Sequence, residues 1–182
     1  MRYSKTTNFI LCAIFAAITG ATAGIIIPLP FTPVPMTLAT LAVMLAGGVL
    51  GSKYGSLSMI VYVLLGAFGA PVYHGYTGGF DKLIGPTGGY LIGYILTAFI
   101  TGIIIEMINK KNNLYINVVA MSLGLSACYI LGTLWFMFST STPLWTALVS
   151  CVFPFLIGDV LKIVIGAMLV TKLRSALDKS IT

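Results

Sequence analysis

The sequence predicts an all-α integral membrane protein, built as a single domain over residues 1-182 with six transmembrane helices. Two features of the composition indicate the bilayer. Hydrophobic residues make up 58% of the 182 residues and charged residues only 8%, whereas soluble domains carry about 25% charged residues. The third observation is the order of residues along the chain. Apolar runs alternate with proline-rich, glycine-rich or polar connectors from one end to the other.

Five of the six predicted segments are separate apolar runs. They cover residues 9-27, 37-50, 56-68, 90-108 and 114-138. Segments two and three, joined by a tight turn at residues 51-55, are each about 14 residues long, or roughly 20 Å as a helix. A bilayer core of about 30 Å is too thick for either to cross alone. Short, interrupted spans of this kind are typical of the substrate sites of transporters.

The sixth segment has to be separated from a longer apolar run, residues 144-170. As one helix this run would measure about 40 Å, which exceeds the core of about 30 Å. Pro154 favours a break, since proline is accepted in the first turn of a helix and is costly in its interior. We therefore expect segment six to run from about Pro154 to Leu177, preceded by a short helix or re-entrant piece at 144-151.

The basic residues orient these segments. Eight of them fall on one side: Arg2, Lys5, Lys53, Lys110, Lys111, Lys172, Arg174 and Lys179. Only Lys82 falls on the other side, and Lys162 lies within a segment. The positive-inside rule then predicts that both termini are cytoplasmic. Connectors 28-36, 69-89 and 139-153 are predicted to be external and irregular.

An acid and a base, Asp159 and Lys162, lie three residues apart inside an apolar run. A charge at membrane depth costs several kcal/mol unless it is paired or hydrated, so such residues are functional candidates. A helix that starts near Pro154 has both of them in its first two turns, beneath the external connectors. They mark a solute site, or they form an ion pair that only ties two helices together.

Polar and aromatic residues of the connectors and short segments would complete such a site. The candidates are Thr37, His74, Thr87, Gly88 and Tyr90, with Phe31, Tyr73, Tyr76 and Phe80 as further aromatic surface. An apolar cavity with a few convergent polar groups fits a small organic solute better than an ion. The alternatives are that the aromatic side chains are interface anchors and that His74 is a solvated loop residue.

The composition also argues against several functions. The net charge of +6 is spread as basic residues between apolar runs, which fits membrane topology and not nucleic-acid binding. Three cysteines in apolar segments without paired spacing indicate buried hydrophobes, and we expect no metal site and no cofactor. One histidine and four acidic residues, scattered along the chain, provide no constellation for an intramembrane enzyme. A channel would need a polar stripe across a helix, and segment six is apolar between Lys162 and Lys172.

Small residues recur at helical spacing in segment one. Ala13 and Ala17, extended by Ala21, form a small-xxx-small pattern that allows another helix to approach closely in lipid. This pattern serves a partner protein or internal packing, and the spacing alone does not separate the two.

Four motifs occur together, in order and over nearly the full chain. They are Thr32-Pro-Val-Pro-Met-Thr-Leu38, Ala46-Gly-Gly-Val-Leu-Gly51, Gly85-Pro-Thr-Gly-Gly-Tyr90 and Pro154-Phe-Leu-Ile-Gly-Asp-Val-Leu-Lys162. Together they resemble the BioY family, the biotin-specific substrate-binding (S) components of energy-coupling factor transporters. One departure is Ala39, which stands where the family often has a glutamine.

The resemblance implies a six-helix protein of the cytoplasmic membrane with its vitamin site near the external surface. It implies coupling to a transmembrane T component, faced by Ala13 and Ala17, and to a pair of ATPases. For biotin, Asp159 would accept from a ureido N–H and Lys162 would donate to the ureido carbonyl. The valerate carboxylate would need a donor near the loops, such as His74, Thr87 or a glycine N–H. An S component for another water-soluble vitamin is the alternative.

Overall fold

The computed structural model describes residues 4-27, 36-108 and 112-179, and these residues are almost entirely helical. The long helices are α1 (Lys5–Gly24), α2 (Ala39–Ala67), α4 (Gly88–Ile108), α5 (Leu114–Thr140) and α7 (Phe153–Lys179). Short elements between them are a 3-10 turn (His74–Tyr76), α3 (Phe80–Ile84) and α6 (Leu144–Cys151). Within the described ranges, these five long helices are the ones long and apolar enough to cross a membrane.

α2 reverses its direction at Gly51, where φ is 81° and ψ is −177°. A Cβ added to Gly55 would lie 2.8 Å from the Cα of Gly47, although residues eight positions apart in a straight helix are about 12 Å apart. The two arms, residues 39-50 and 52-67, therefore fold back on each other. This agrees with the prediction of two short segments, but the turn is centred on Gly51 and residues 52-55 already belong to the second arm.

The second arm of α2 lies beside α1 and runs in the same direction. The Cys12 thiol donates to the Tyr54 carbonyl at 3.2 Å, and further along both elements the Thr19 hydroxyl lies 4.0 Å from the Met59 sulfur. At the turn, the carboxylate of Glu106 in α4 accepts from the backbone N–H and the hydroxyl of Ser52, at 3.1 and 2.6 Å. Glu106 therefore caps the first turn of the second arm.

The remaining helices pack at close range because small residues lie at their crossings. The first arm meets α4 where a Cβ on Gly47 would overlap the backbone of Ala98. α4 meets α5 where the Thr97 hydroxyl donates to the Gly124 carbonyl at 3.1 Å. α5 meets α7 where the Asn117 amide donates to the Thr171 hydroxyl at 3.0 Å. Successive segments thus alternate in direction through the bundle.

One end of the bundle, called the upper end below, carries two very short strands. β1 (Ile26–Ile27) pairs antiparallel with β2 (Met36–Thr37), with Ile26 opposite Thr37. The prediction of an irregular connector over 28-36 was therefore wrong for Met36, and α1 ends at Gly24, before the predicted Ile27. Strands of two residues are too short to show the alternation of apolar and polar residues from which a strand is predicted. Residues 28-35, including the candidate Phe31, lie outside the described residues.

The other two connectors contain more regular structure than predicted. Connector 69-89 holds the 3-10 turn and α3, and α4 begins within it at Gly88. Connector 139-153 holds α6, as expected of the short helix at 144-151. Val152, with φ −125° and ψ −62°, separates α6 from α7, whose first turn contains Pro154. The predicted break of the long apolar run is confirmed.

The reversal of α2 leads to a stability prediction at Gly51. Its φ and ψ belong to a region that is essentially restricted to glycine, and a Cβ there would overlap the Glu106 carboxylate. We expect Gly51→Ala to lower the free energy of unfolding by about 2–4 kcal/mol, because backbone strain adds to the loss of the Ser52 cap. Thermal unfolding of the detergent-solubilised protein measures the change.

Gly69→Ala is the matched control. Gly69 also has a positive φ, of 98°, but nothing lies within 4 Å of a Cβ at that position. The control should therefore lose only the strain contribution of about 1–3 kcal/mol. Equal losses in the two variants would contradict a specific role for the contact between Gly51 and Glu106.

Candidate functional site

The acid and base predicted from the sequence form a buried ion pair in the first two turns of α7. Only 4% of Asp159 and 7% of Lys162 is exposed. The Lys162 ammonium donates to Oδ1 of Asp159 at 2.9 Å. Burying two charges is costly, and the geometry compensates only if further hydrogen bonds satisfy their remaining lone pairs and protons.

Each member of the pair has a second partner from another helix. The Tyr129 hydroxyl, on α5, donates to Oδ2 of Asp159. The Lys162 ammonium donates to the Thr40 hydroxyl, on the first arm of α2, at 3.2 Å. Three helices therefore meet at the pair, and both carboxylate oxygens of Asp159 are engaged.

The pair lies on the wall of a cavity at the upper end of the bundle. The empty volume, counting the open mouth and the solvent space in it, is about 700 Å³. The lining residues are Ala23, Met36, Thr37, Thr40, Tyr62, His74, Thr87, Tyr90, Leu91, Tyr94, Leu125, Cys128, Tyr129, Cys151, Phe155, Asp159 and Lys162. Such a wall is apolar and aromatic, with a few polar groups at defined points.

Six of the seven substrate-binding candidates line this one cavity: Thr37, His74, Thr87, Tyr90, Asp159 and Lys162. The seventh, Gly88, does not line it. Gly88 is buried at the start of α4, where a Cβ would overlap the Leu83 carbonyl and approach the Trp135 indole. Its close packing explains why a glycine is needed there, and a role in binding stays a prediction.

Sequence reasoning missed several lining residues within the apolar helices, above all Tyr129, Tyr94, Tyr62 and Thr40. One signal was present for Tyr94, because Tyr90 and Tyr94 are four residues apart and therefore share one face of α4. No comparable pattern marks Tyr129, whose importance arises from its contact with Asp159, thirty residues away.

The mouth of the cavity is formed in part by His74 and Thr87. Both residues also line a second, adjoining depression with Asp81 and Lys82, whose side chains approach to 3.5 Å. Burial lowers the pKa of the His74 imidazole below its ordinary value, and the positive charge of Lys82 lowers it further. Neutral His74 carries one N–H donor and one acceptor at neutral pH.

Residues 72-76, called the strap below, hold His74 over the cavity by packing against glycines. Val72 lies against Gly20, Tyr73 against Gly66 and Tyr76 against Gly24, and a Cβ on either of the last two glycines would overlap the tyrosine ring. Tyr76 has a positive φ of 57°, a strained conformation of the kind that clusters at ligand clamps. The strap therefore depends on α1 for its position.

The two alanines predicted to meet a partner lie on the outward face of α1. Ala13 and Ala17 are both exposed, and so is Ala21, whereas Ala16 and Ala23 are buried. Exposed isoleucines at Ile10, Ile14 and Ile18 flank the alanines. The small-xxx-small pattern is therefore not used for packing among the described residues.

Comparisons with known proteins agree over nearly the full length. The family model described as the BioY family matches residues 1–179. A Thermotoga maritima protein named biotin transporter BioY is 40% identical over 167 residues, covering 92% of this chain and 95% of that protein. A Lactococcus lactis protein of the same name is 33% identical over 163 residues, covering 88% and 85%.

A solved structure has the same architecture. It is described as the crystal structure of the S-component for biotin from an ECF-type ABC transporter. The TM-score is 0.88 at 30% identity, with 96% of this chain and 94% of that chain covered. From the family match, the relatives and the shared fold, the chain belongs to the BioY family.

Proposed function

We propose that this chain binds biotin in the cavity around Asp159 and Lys162 and acts as the S component of an ATP-driven energy-coupling factor transporter in the cytoplasmic membrane. The observation that carries the proposal is the buried ion pair on the wall of an apolar, tyrosine-rich cavity. The relatives named biotin transporters narrow the solute to biotin. Another water-soluble vitamin is the less favoured alternative.

The chemistry of biotin matches the cavity. Its ureido ring carries two N–H donors and one carbonyl acceptor, and the Asp159 carboxylate accepts from one N–H while the Lys162 ammonium donates to the carbonyl. The apolar faces of the fused rings pack against the tyrosines. The valerate chain then extends toward the mouth, where its carboxylate accepts from His74 or Thr87. Each of these contacts pairs a polar group of the wall with a polar group of the ligand.

The chain is a transporter subunit and not an enzyme, and the energy for uptake comes from partners. Its glycine-rich stretch at 85-89 lacks the lysine of a phosphate-binding loop. A T component would dock on the exposed Ala13 and Ala17 of α1, where small side chains permit close approach of another helix. A pair of ATPases would bind to the T component and drive the cycle.

The topology that fits this function has six spans, with both termini in the cytoplasm. The alternating directions of the segments support it, if the two arms of α2 each count as a span. At the lower end, opposite the cavity, lie the basic residues Lys5, Lys53, Lys172 and Arg174, whereas Lys82 lies at the upper end. Arg2, Lys110 and Lys111 lie outside the described residues. The cavity then opens to the outside.

Biotin affinity tests the role of the ion pair. We expect Asp159→Asn and Lys162→Met each to weaken binding by about 30-fold to several thousandfold, because each substitution leaves a buried charge without its partner. Isothermal titration calorimetry on purified protein measures the dissociation constants. Lys172→Met is the matched control, since Lys172 is exposed on the same helix at the opposite end, and it should bind like the unmodified chain.

A thermal-shift screen of the unmodified chain separates biotin from other vitamins. A bound ligand raises the apparent stability by mass action, so biotin should raise the melting temperature and thiamine, riboflavin and niacin should not. A rise in melting temperature with a different vitamin would contradict biotin as the substrate.

For the variants, unchanged biotin affinity in both Asp159→Asn and Lys162→Met would contradict the proposal that the ion pair contacts the ligand.

Partner docking should be separable from binding. The double substitution Ala13→Leu with Ala17→Leu enlarges only exposed positions of α1, so biotin affinity should be retained while co-purification with the T component is lost. Ser126→Leu, at an exposed position of α5, is the control and should keep both properties. Loss of biotin binding in the double variant would mean that the alanines support the fold instead.

Cysteine labelling tests the orientation. Ser141 and Lys53 are both exposed, at opposite ends of the bundle, and the native cysteines Cys12, Cys128 and Cys151 are buried. In intact cells a membrane-impermeant maleimide should label Ser141→Cys and spare Lys53→Cys, and permeabilised cells should label both. The opposite pattern would reverse the proposed orientation, and labelling of both in intact cells would refute the six-span topology.

A further inference from the structure

A second pair of opposite charges, Asp81 and Lys82, lies beside the mouth of the cavity. Their side chains approach to 3.5 Å and are 71% and 39% exposed. Both residues line the depression that adjoins the cavity, and His74 and Thr87 line the cavity and the depression alike. A ligand that extends out of the cavity past His74 and Thr87 therefore enters the space that this pair borders.

The position of the pair is set by contacts at both ends of α3, the short helix that carries it. Directly before α3, the Gly79 N–H donates to the Gly66 carbonyl at 2.8 Å. Directly after α3, the Gly85 carbonyl accepts from the Trp135 indole N–H at 2.9 Å. The helix is thus tied to the second arm of α2 at one end and to α5 at the other, and these two elements place the pair beside the depression.

The donors at the mouth itself are neutral. Burial and the charge of Lys82 lower the pKa of His74, so the imidazole offers one N–H without a positive charge at neutral pH, and the Thr87 hydroxyl is neutral as well. A carboxylate has two accepting oxygens and a negative charge, and one neutral donor leaves the charge and one oxygen unmatched. Charged donors form the shorter and stronger bonds to carboxylates. Among the described residues that line the depression, Lys82 is the one cation.

We propose that Lys82 is a specificity-determining residue that holds the carboxylate of the ligand, and that Asp81 competes with this carboxylate for the same ammonium. The inference rests on the proposed binding of biotin in this cavity. An exposed ion pair contributes little to stability because water competes for both charges, so the ammonium exchanges one carboxylate for the other at little cost. Lys82 then favours an acid over its neutral derivatives, and Asp81 limits that preference.

The affinities for biotin and biotinamide test this assignment. Biotinamide keeps the fused rings and the chain and has a neutral carboxamide in place of the carboxylate. Lys82→Gln should weaken biotin about 3- to 10-fold and leave biotinamide within about twofold, because only the acid loses a charged partner. Asp81→Asn should strengthen biotin about 2- to 5-fold without a comparable effect on biotinamide, since the competing carboxylate is removed. Isothermal titration calorimetry measures both ligands on each variant.

Lys172→Gln is the matched control, because it removes the same charge from an exposed position at the opposite end of the bundle. It should bind both ligands like the unmodified chain. Ionic strength gives a second readout, since salt screens exposed charges: the affinity for biotin that Asp81→Asn gains in dilute buffer should be lost in concentrated salt. Because the main readout is a ratio between two ligands, it distinguishes recognition of the carboxylate from a general loss of stability.

Changes confined to biotin, and opposite in sign in Lys82→Gln and Asp81→Asn, support the proposal. If the chain binds biotin and Lys82→Gln weakens both ligands equally or neither of them, the carboxylate is held elsewhere, and this inference alone is overturned. It is also overturned if Asp81→Asn weakens biotin, since Asp81 would then orient Lys82 and not compete for it. If the unmodified chain binds no biotin, the proposed function itself fails.

Discussion

The upper half of the structure depends on the burial of one ion pair. An acid and a base that are both almost fully buried retain their charges only if their hydrogen-bonding groups are satisfied. The Asp159 carboxylate takes donors from α7 and α5, and the Lys162 ammonium takes acceptors from α7 and the first arm of α2. These contacts fix three helices relative to one another around a cavity. Since replacing a buried pair with apolar residues is often neutral or stabilising, fold stability alone does not explain the pair.

The upper end is also connected to the outer surface through α1. The strap that carries His74 packs against Gly20 and Gly24, which continue the same face of α1 that carries the exposed Ala13 and Ala17. β1 follows directly after α1 and pairs with β2, which contributes Met36 and Thr37 to the cavity wall. A helix that docks against the alanines therefore contacts the same element that positions both the strap and β2. Small residues along one face of α1, covered by the strap at Gly20 and Gly24 and exposed at Ala13 and Ala17, make this double use possible.

The sequence allowed the chemically distinctive parts of the site to be predicted. Asp159 and Lys162 were conspicuous because charges are rare in apolar runs, and Pro154 correctly indicated where α7 begins. Proline and glycine likewise located the connector that supplies His74 and Thr87 and the connector that directly precedes Thr37. Tyr129 and Thr40 could not be found in this way, since tyrosine and threonine are ordinary in membrane helices and their partners are 30 and 122 positions away. The strand pair was missed for a related reason, because two residues show no pattern.

The charge balance of the site determines how an anionic ligand would be oriented. Asp159 and Lys162 cancel each other, so their end of the cavity offers no net positive charge to a carboxylate. A carboxylate placed there would be buried without compensation, at a cost of several kcal/mol. The mouth is different, because it opens to water and His74 and Thr87 line it, with Lys82 in the adjoining depression. A ligand with a neutral polar ring at one end and a carboxylate at the other therefore enters ring first, and its length sets how far the carboxylate stays in the hydrated mouth.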